Sequence, residues 1–103
     1  MIKINVKRED DVVKYIKISG HSGYAESGFD IVCASVSSIA ITTVNALIRL
    51  DKDSVSYEEK DGYIKLNILK HNNYVDILIE NMIDLLKELE KQYKKNIKIL
   101  KEV

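Results

Sequence analysis

From Ile31 to Leu50 the chain runs for twenty residues with one charged side chain, Arg49. Asp30 stands before this run as a good helix N-cap, and the spacing predicts a long helix over 31–50. Its polar residues Ser35, Ser38, Thr42, Asn45 and Arg49 recur at intervals of three and four and trace one narrow stripe. Val32, Val36, Ile39, Thr43 and Leu47 occupy one flank of that stripe; Cys33, Ile41, Val44 and Ile48 occupy the other. A helix this apolar has to be covered on more than one side. A sheet is one expected cover. The second is either another copy of the same helix across a twofold axis or a second helix of this chain.

The flanking segments supply the sheet. Residues 2–7 alternate strictly between apolar and polar and predict a half-buried strand. A charged turn at 8–11 leads to a second strand at 12–19, with Ile16 and Ile18 on one face and Tyr15 and Lys17 on the other. No Asn-Gly or Asp-Gly fixes the register of that hairpin. Strands at 54–59 and 63–69 surround Lys60-Asp61-Gly62, a hairpin signal with Gly in the loop. Residues 74–95 predict a second helix, with an apolar stripe of Val75, Leu78, Met82, Leu85, Leu86, Leu89 and Tyr93. Residues 97–100 predict a short last strand. The expected fold is α+β, one domain over 1–103, a mixed sheet packed with two helices in the order β-β-α-β-β-α-β.

Charge and cysteine usage narrow the function classes. The 16 basic residues balance 16 acidic ones. No excess positive charge is left for non-specific phosphate contacts, so direct nucleic acid binding is not expected. The basic run Lys94, Lys95, Lys98 and Lys101 reads as a solvated end that could attract an acidic or RNA-associated partner. One cysteine cannot form an intrachain disulfide. Lys3, Lys7 and Arg8 interrupt the N-terminus, and no unbroken apolar run reaches the ~18 residues of a membrane span. The expectation is a cytoplasmic chain without signal peptide, membrane span, phosphate loop, metal site or cofactor.

The unusual stretch is GHSGYAESGFDIVCASVSS, Gly20 to Ser38. It holds three of the four glycines, one of the two histidines and the only cysteine. Gly20 ends a strand, and the connection to Phe29 is longer than most. With Asp30 as N-cap, Cys33 occupies the third helical position. The backbone N–H groups there lack intrahelical acceptors and the helix dipole is positive, which favours a nucleophilic thiolate. The same N–H groups could hold an oxyanion. Asp30 complicates this, because its carboxylate competes for those donors and opposes a thiolate. The competing reading of Cys33 is a small buried hydrophobe. His21 sits at a strand's C-terminal edge, where a helix packed back on that strand would bring Cys33 near it as the partner of a general base. His71, beside Lys70 and two asparagines, reads as an exposed histidine without a task. Ser37, one turn after Cys33, either contacts the site or back-bonds to the helix carbonyl four residues earlier.

This stretch resembles the signature of the ribosomal-processing cysteine proteases of the Prp family, roughly G-H-x-x-Y-A-x-x-G-x-D-I-V-C-A-x-V-S. Gly20, His21, Tyr24, Ala25, Gly28, Asp30, Ile31, Val32, Cys33, Ala34, Val36 and Ser37 match at fixed spacing. One departure is Ser35, where many members carry a second alanine; it falls on the polar stripe. The resemblance implies a cysteine endopeptidase with Cys33 as nucleophile and His21 as general base. It also implies a cytoplasmic homodimer and, as substrate, the N-terminal extension of a large-subunit ribosomal protein, removed after a segment ending in phenylalanine. The glycine-rich segment 20–29 would act as a substrate-ordered lid. Gly20, Gly23, Tyr24, Gly28, Asp30 and Ser37 are the expected substrate-binding positions. Two readings compete: a non-catalytic module binding RNA or a small ligand with Cys33 in its core, and a cysteine hydrolase acting on something other than peptide.

Overall fold

The computed structural model describes residues 1–21, 23 and 30–102. The elements follow the expected order: β1 Ile2–Glu9, β2 Val12–Ser19, α1 Ile31–Leu50, β3 Val55–Lys60, β4 Tyr63–Ile68, α2 Asn73–Gln92 and β5 Ile97–Glu102. They form a five-stranded mixed sheet in the order β3-β4-β2-β1-β5, in which only β1 and β5 pair in parallel. β2 is therefore the central strand.

The first hairpin is tighter than its composition suggests. The charged segment 8–11 is not all turn, because Glu9 pairs with Val12 and only Asp10 and Asp11 form the loop. Both have positive φ, 52° and 66°, the conformation of a two-residue turn that matches strand twist. Aspartate tolerates this left-handed region better than most residues, which is how the hairpin closes without glycine. The register shifts between Lys7 and Arg8, so that Lys14 is the extra residue of a bulge in β2. The bulge puts Val13 on the same buried face as Ile16 and Ile18, against simple alternation.

One face of the sheet is buried. Ile4, Ile16, Leu66 and Ile97 join Val32, Val36, Val44 and Leu47 of α1 and Val75, Ile79, Met82, Ile83 and Leu86 of α2 in one core. Both helices thus cover the same face, and α2 packs against α1. The second cover of α1 seen in the structure is α2. The buried stripe of α2 is rotated from the expected one: Ile79 and Ile83 are in the core, whereas Leu85 is 40% exposed. Ile83 and Leu86 follow Ile79 at intervals of four and three, a stripe that an apolar Leu85 beside it disguised.

By length and mean hydropathy α1 is apolar enough to cross a membrane, although no unbroken apolar run is that long. Here Val32, Val36, Ala40, Thr43, Val44 and Leu47 of α1 lie in the core. The outer face of the sheet is polar: the Tyr15 hydroxyl donates to the Glu102 carboxylate, and Lys65 lies 4.9 Å from the centre of the Tyr15 ring.

Candidate active site

β2 ends at Ser19, and the next residue continues its pairing. The Gly20 N–H donates to the Gly62 carbonyl at 2.9 Å, tying the end of β2 to the β3–β4 turn. Gly20 has φ +94°, and a Cβ placed on it would lie 2.4 Å from the Met1 carbonyl oxygen. Only glycine fits there, so Gly20 is explained by backbone packing as well as by its place at the site. The next residue, His21, is exposed and projects from this junction.

α1 begins as its sequence predicts. Asp30 is the N-cap, and its Oδ1 accepts from the Val32 and Cys33 N–H groups, each at 3.0 Å. Cys33 is half-buried in the first turn. The cap bears on the expected oxyanion donors, because two of the helix-start N–H groups, including that of Cys33 itself, are engaged by Asp30. The Ala34 N–H is taken by the Asp30 carbonyl, the first bond of the helix.

These two element ends meet across one cavity of about 680 Å³. Gly20, His21 and Gly23 contribute from the β2 side; Asp30, Cys33, Ala34, Val36 and Ser37 contribute from α1. Ile2, Ile18 and Ile64 form its apolar floor. The structure therefore brings His21 and Cys33 to one hollow, together with Gly20, Gly23, Asp30 and Ser37. Tyr24 and Gly28 lie outside the described residues, as does most of the segment expected to act as a lid. Ser37 does not back-bond among the described residues, whereas Ser35 does, its Oγ donating to the Ile31 carbonyl at 2.7 Å. His71 is away from the cavity and is not without a partner: its Nδ1 lies 3.3 Å from Asp76 Oδ1 in the first turn of α2. Among the described residues no three His, Cys, Asp or Glu side chains gather as a metal site would require.

The third wall comes from residues that the sequence marked only as a hairpin, the Lys60-Asp61-Gly62 turn and the strand ends beside it. Glu59, Lys60, Asp61, Gly62 and Tyr63 of the β3–β4 hairpin line the same cavity. They lie some forty residues from His21 in the chain and reach it because β4 pairs with β2. The one local signal was Asp61-Gly62, which predicts a turn and not its neighbour.

Residues 1–98 match the family model for the cysteine protease Prp. The chain belongs to the Prp cysteine protease family. It is 30% identical over 101 residues to the ribosomal processing cysteine protease Prp of Staphylococcus aureus, covering 95% of this chain and 94% of the relative. It is likewise 30% identical over 107 residues to the Prp of Bacillus subtilis, covering 96% of each. The fold superposes on the crystal structure of the S. aureus essential ribosomal processing protease Prp with a covalently linked product peptide. The TM-score is 0.93 at 26% identity, over 99% of this chain and 100% of the other. For the same Prp with a substrate peptide the TM-score is 0.87. As a member of the Prp family the chain is a cysteine protease, which sets aside the non-catalytic module.

Proposed function

We propose that this Prp-family chain is a ribosomal-processing endopeptidase that removes the N-terminal extension of a large-subunit ribosomal protein, with Cys33 as nucleophile and His21 as general base. The observation that carries the reading is that Cys33, in the first turn of α1, and His21, just past the end of β2, line one cavity. His21 takes the Cys33 proton, and the sulfur attacks the scissile carbonyl. The imidazolium returns the proton to the leaving amine, and water releases the acyl group from sulfur with His21 again as base. A helix-start N–H that receives the oxyanion would do so in place of, or beside, the Asp30 cap. Gly20, Gly23, Tyr24, Gly28, Asp30 and Ser37 are the positions proposed to contact the peptide. The hollow has both polar and apolar lining residues, which suits a peptide segment.

The proposed site of action is the cytoplasm and the proposed assembly a homodimer. Ala34, Ser38, Ile41, Asn45 and Ile48 recur at three and four residues on the side of α1 away from the core, where Arg49 is the one charged side chain, and a second copy would cover that side. Light scattering on the purified protein checks the dimer.

The activity test uses a peptide spanning the extended ribosomal-protein N-terminus, with phenylalanine before the expected scissile bond. Wild type is expected to cut it once, after that residue. Cys33→Ala and His21→Ala are expected to leave it intact. An uncut peptide with wild type, or cleavage by Cys33→Ala at the wild-type rate, refutes the assignment.

A further inference from the structure

The β3–β4 turn stands directly against the ring of His21. A Cβ placed on Gly62 would lie 2.9 Å from His21 Nε2 and 3.2 Å from Cε1, closer than side-chain carbons pack. The imidazole therefore occupies the space that any residue other than glycine would fill. The same turn is fixed to the chain immediately before the histidine, because the Gly62 carbonyl accepts from the Gly20 N–H at 2.9 Å. Gly62 is thus both bonded to the neighbour of His21 and in contact with its ring. Its φ of +68° independently favours glycine, so sequence reading alone would assign it to the turn and look no further.

We propose that Gly62 is a positioning residue for catalysis: its bare backbone is the surface on which the His21 imidazole rests while it faces Cys33. The proposal depends on His21 being the general base. Its physical content is that a side chain at position 62 displaces the ring and leaves the fold. His21 is exposed and its ring is the free end of a flexible side chain, so the ring, and not the sheet, yields to an added Cβ. A displacement of about 1 Å between reacting groups can cost on the order of 100-fold in rate.

The informative substitution is Gly62→Asn, since asparagine tolerates positive φ and still carries a Cβ. The readout is the rate of Cys33 alkylation by iodoacetamide across pH, which remains measurable in variants that no longer cleave peptide. It is taken for wild type, His21→Ala, Gly62→Asn and the double variant, with a thermal melt of each. His21→Ala is expected to slow alkylation at neutral pH. Gly62→Asn is expected to slow it about tenfold or more and to alter its pH profile, at a melting temperature near that of wild type. The double variant is expected to react like His21→Ala alone, because the two changes act through one ring. If Gly62→Asn reacts like wild type while His21→Ala is slow, or if the two losses multiply, Gly62 does not act through His21 and the inference falls. If His21→Ala itself reacts like wild type, the assignment of His21 as base falls instead. A measurement on the unmodified protein stands apart from the folding of any variant. In its NMR spectrum a contact between the His21 ring Hε1 and the Gly62 Hα protons is expected, and its absence where β2–β4 contacts are seen overturns the inference.

Discussion

Asp30 has two effects that its substitutions should separate. Its Oδ1 caps α1 by accepting two N–H groups at 3.0 Å, and its charge lies one helical turn from the Cys33 side chain. Asp30→Ala removes both the acceptor and the charge. Loss of a side-chain cap costs about 1 kcal/mol, within a range of roughly 0.5–2. In a domain of this size about 1 kcal/mol corresponds to a fall in Tm of about 4–8 °C. Asp30→Asn keeps an oxygen in the capping position and removes only the charge. Asparagine and aspartate cap about equally well, so its Tm should fall by less than half as much.

The two variants should also part from wild type in thiol chemistry. Without the negative charge, the positive end of the α1 dipole acts on the sulfur unopposed. Asp30→Asn is therefore expected to be alkylated at Cys33 faster than wild type near neutral pH, measured by mass spectrometry under pseudo-first-order conditions. If Asp30→Asn melts as low as Asp30→Ala, the acceptor geometry is not what holds the helix start. If it alkylates no faster than wild type, the carboxylate does not oppose the thiolate. Either result refutes the corresponding half of the reasoning.

Three other perturbations test the scaffold. Asp11→Gly places a residue suited to φ +66° in the β1–β2 turn and is expected to stabilise the protein by about 0.5–1 kcal/mol, read as a higher urea midpoint at unchanged m. Leu47→Ala empties a fully buried position where α1 meets the sheet and should cost about 3–5 kcal/mol by the same measurement. Arg8 makes a paired hydrogen bond to Glu80 at 2.7 and 2.8 Å that lowers the Glu80 pKa. That pair's contribution is complete above the ordinary glutamate value of about 4.3 and is lost as pH falls through the lowered folded value. Because the two side chains are 32% and 44% exposed, screening keeps it to about 1 kcal/mol or less. Glu80→Gln should flatten that part of the acid limb in urea titrations between pH 3 and 6.

Much of this architecture is written locally. Period-2 alternation marks β1 and β4, and an N-cap followed by apolar residues marks the start of α1, because each depends on residues within a few positions. What local pattern could not carry was phase and neighbourhood. The bulge at Lys14 shifts β2 by one residue and buries Val13 out of turn, and nothing in Val-Val-Lys-Tyr announces it. The stripe of α2 was read through Leu85 because leucine at a helical interval looks like core. Only packing against α1 and the sheet decides that Ile79 and Ile83 face inward.

The candidate site shows the same division. Cys33 and Asp30 belong to one helix start, so their relation follows from spacing alone. His21 follows a strand, and its sharing one cavity with Cys33 needs only that α1 pack back on that strand. The hairpin wall requires more, namely that β4 pair with β2 rather than with β1, a choice made by the whole sheet. β1 is already paired on both sides, with β2 and β5, so it cannot take the β3–β4 hairpin, which adds instead at the free edge of β2. That edge ends at Gly20, where the β2–β4 ladder delivers the Asp61-Gly62 turn beside the residue that follows. The strand order thus explains why a turn distant in sequence lies against the histidine, and why a glycine chosen for its φ also sets how closely the ring can approach.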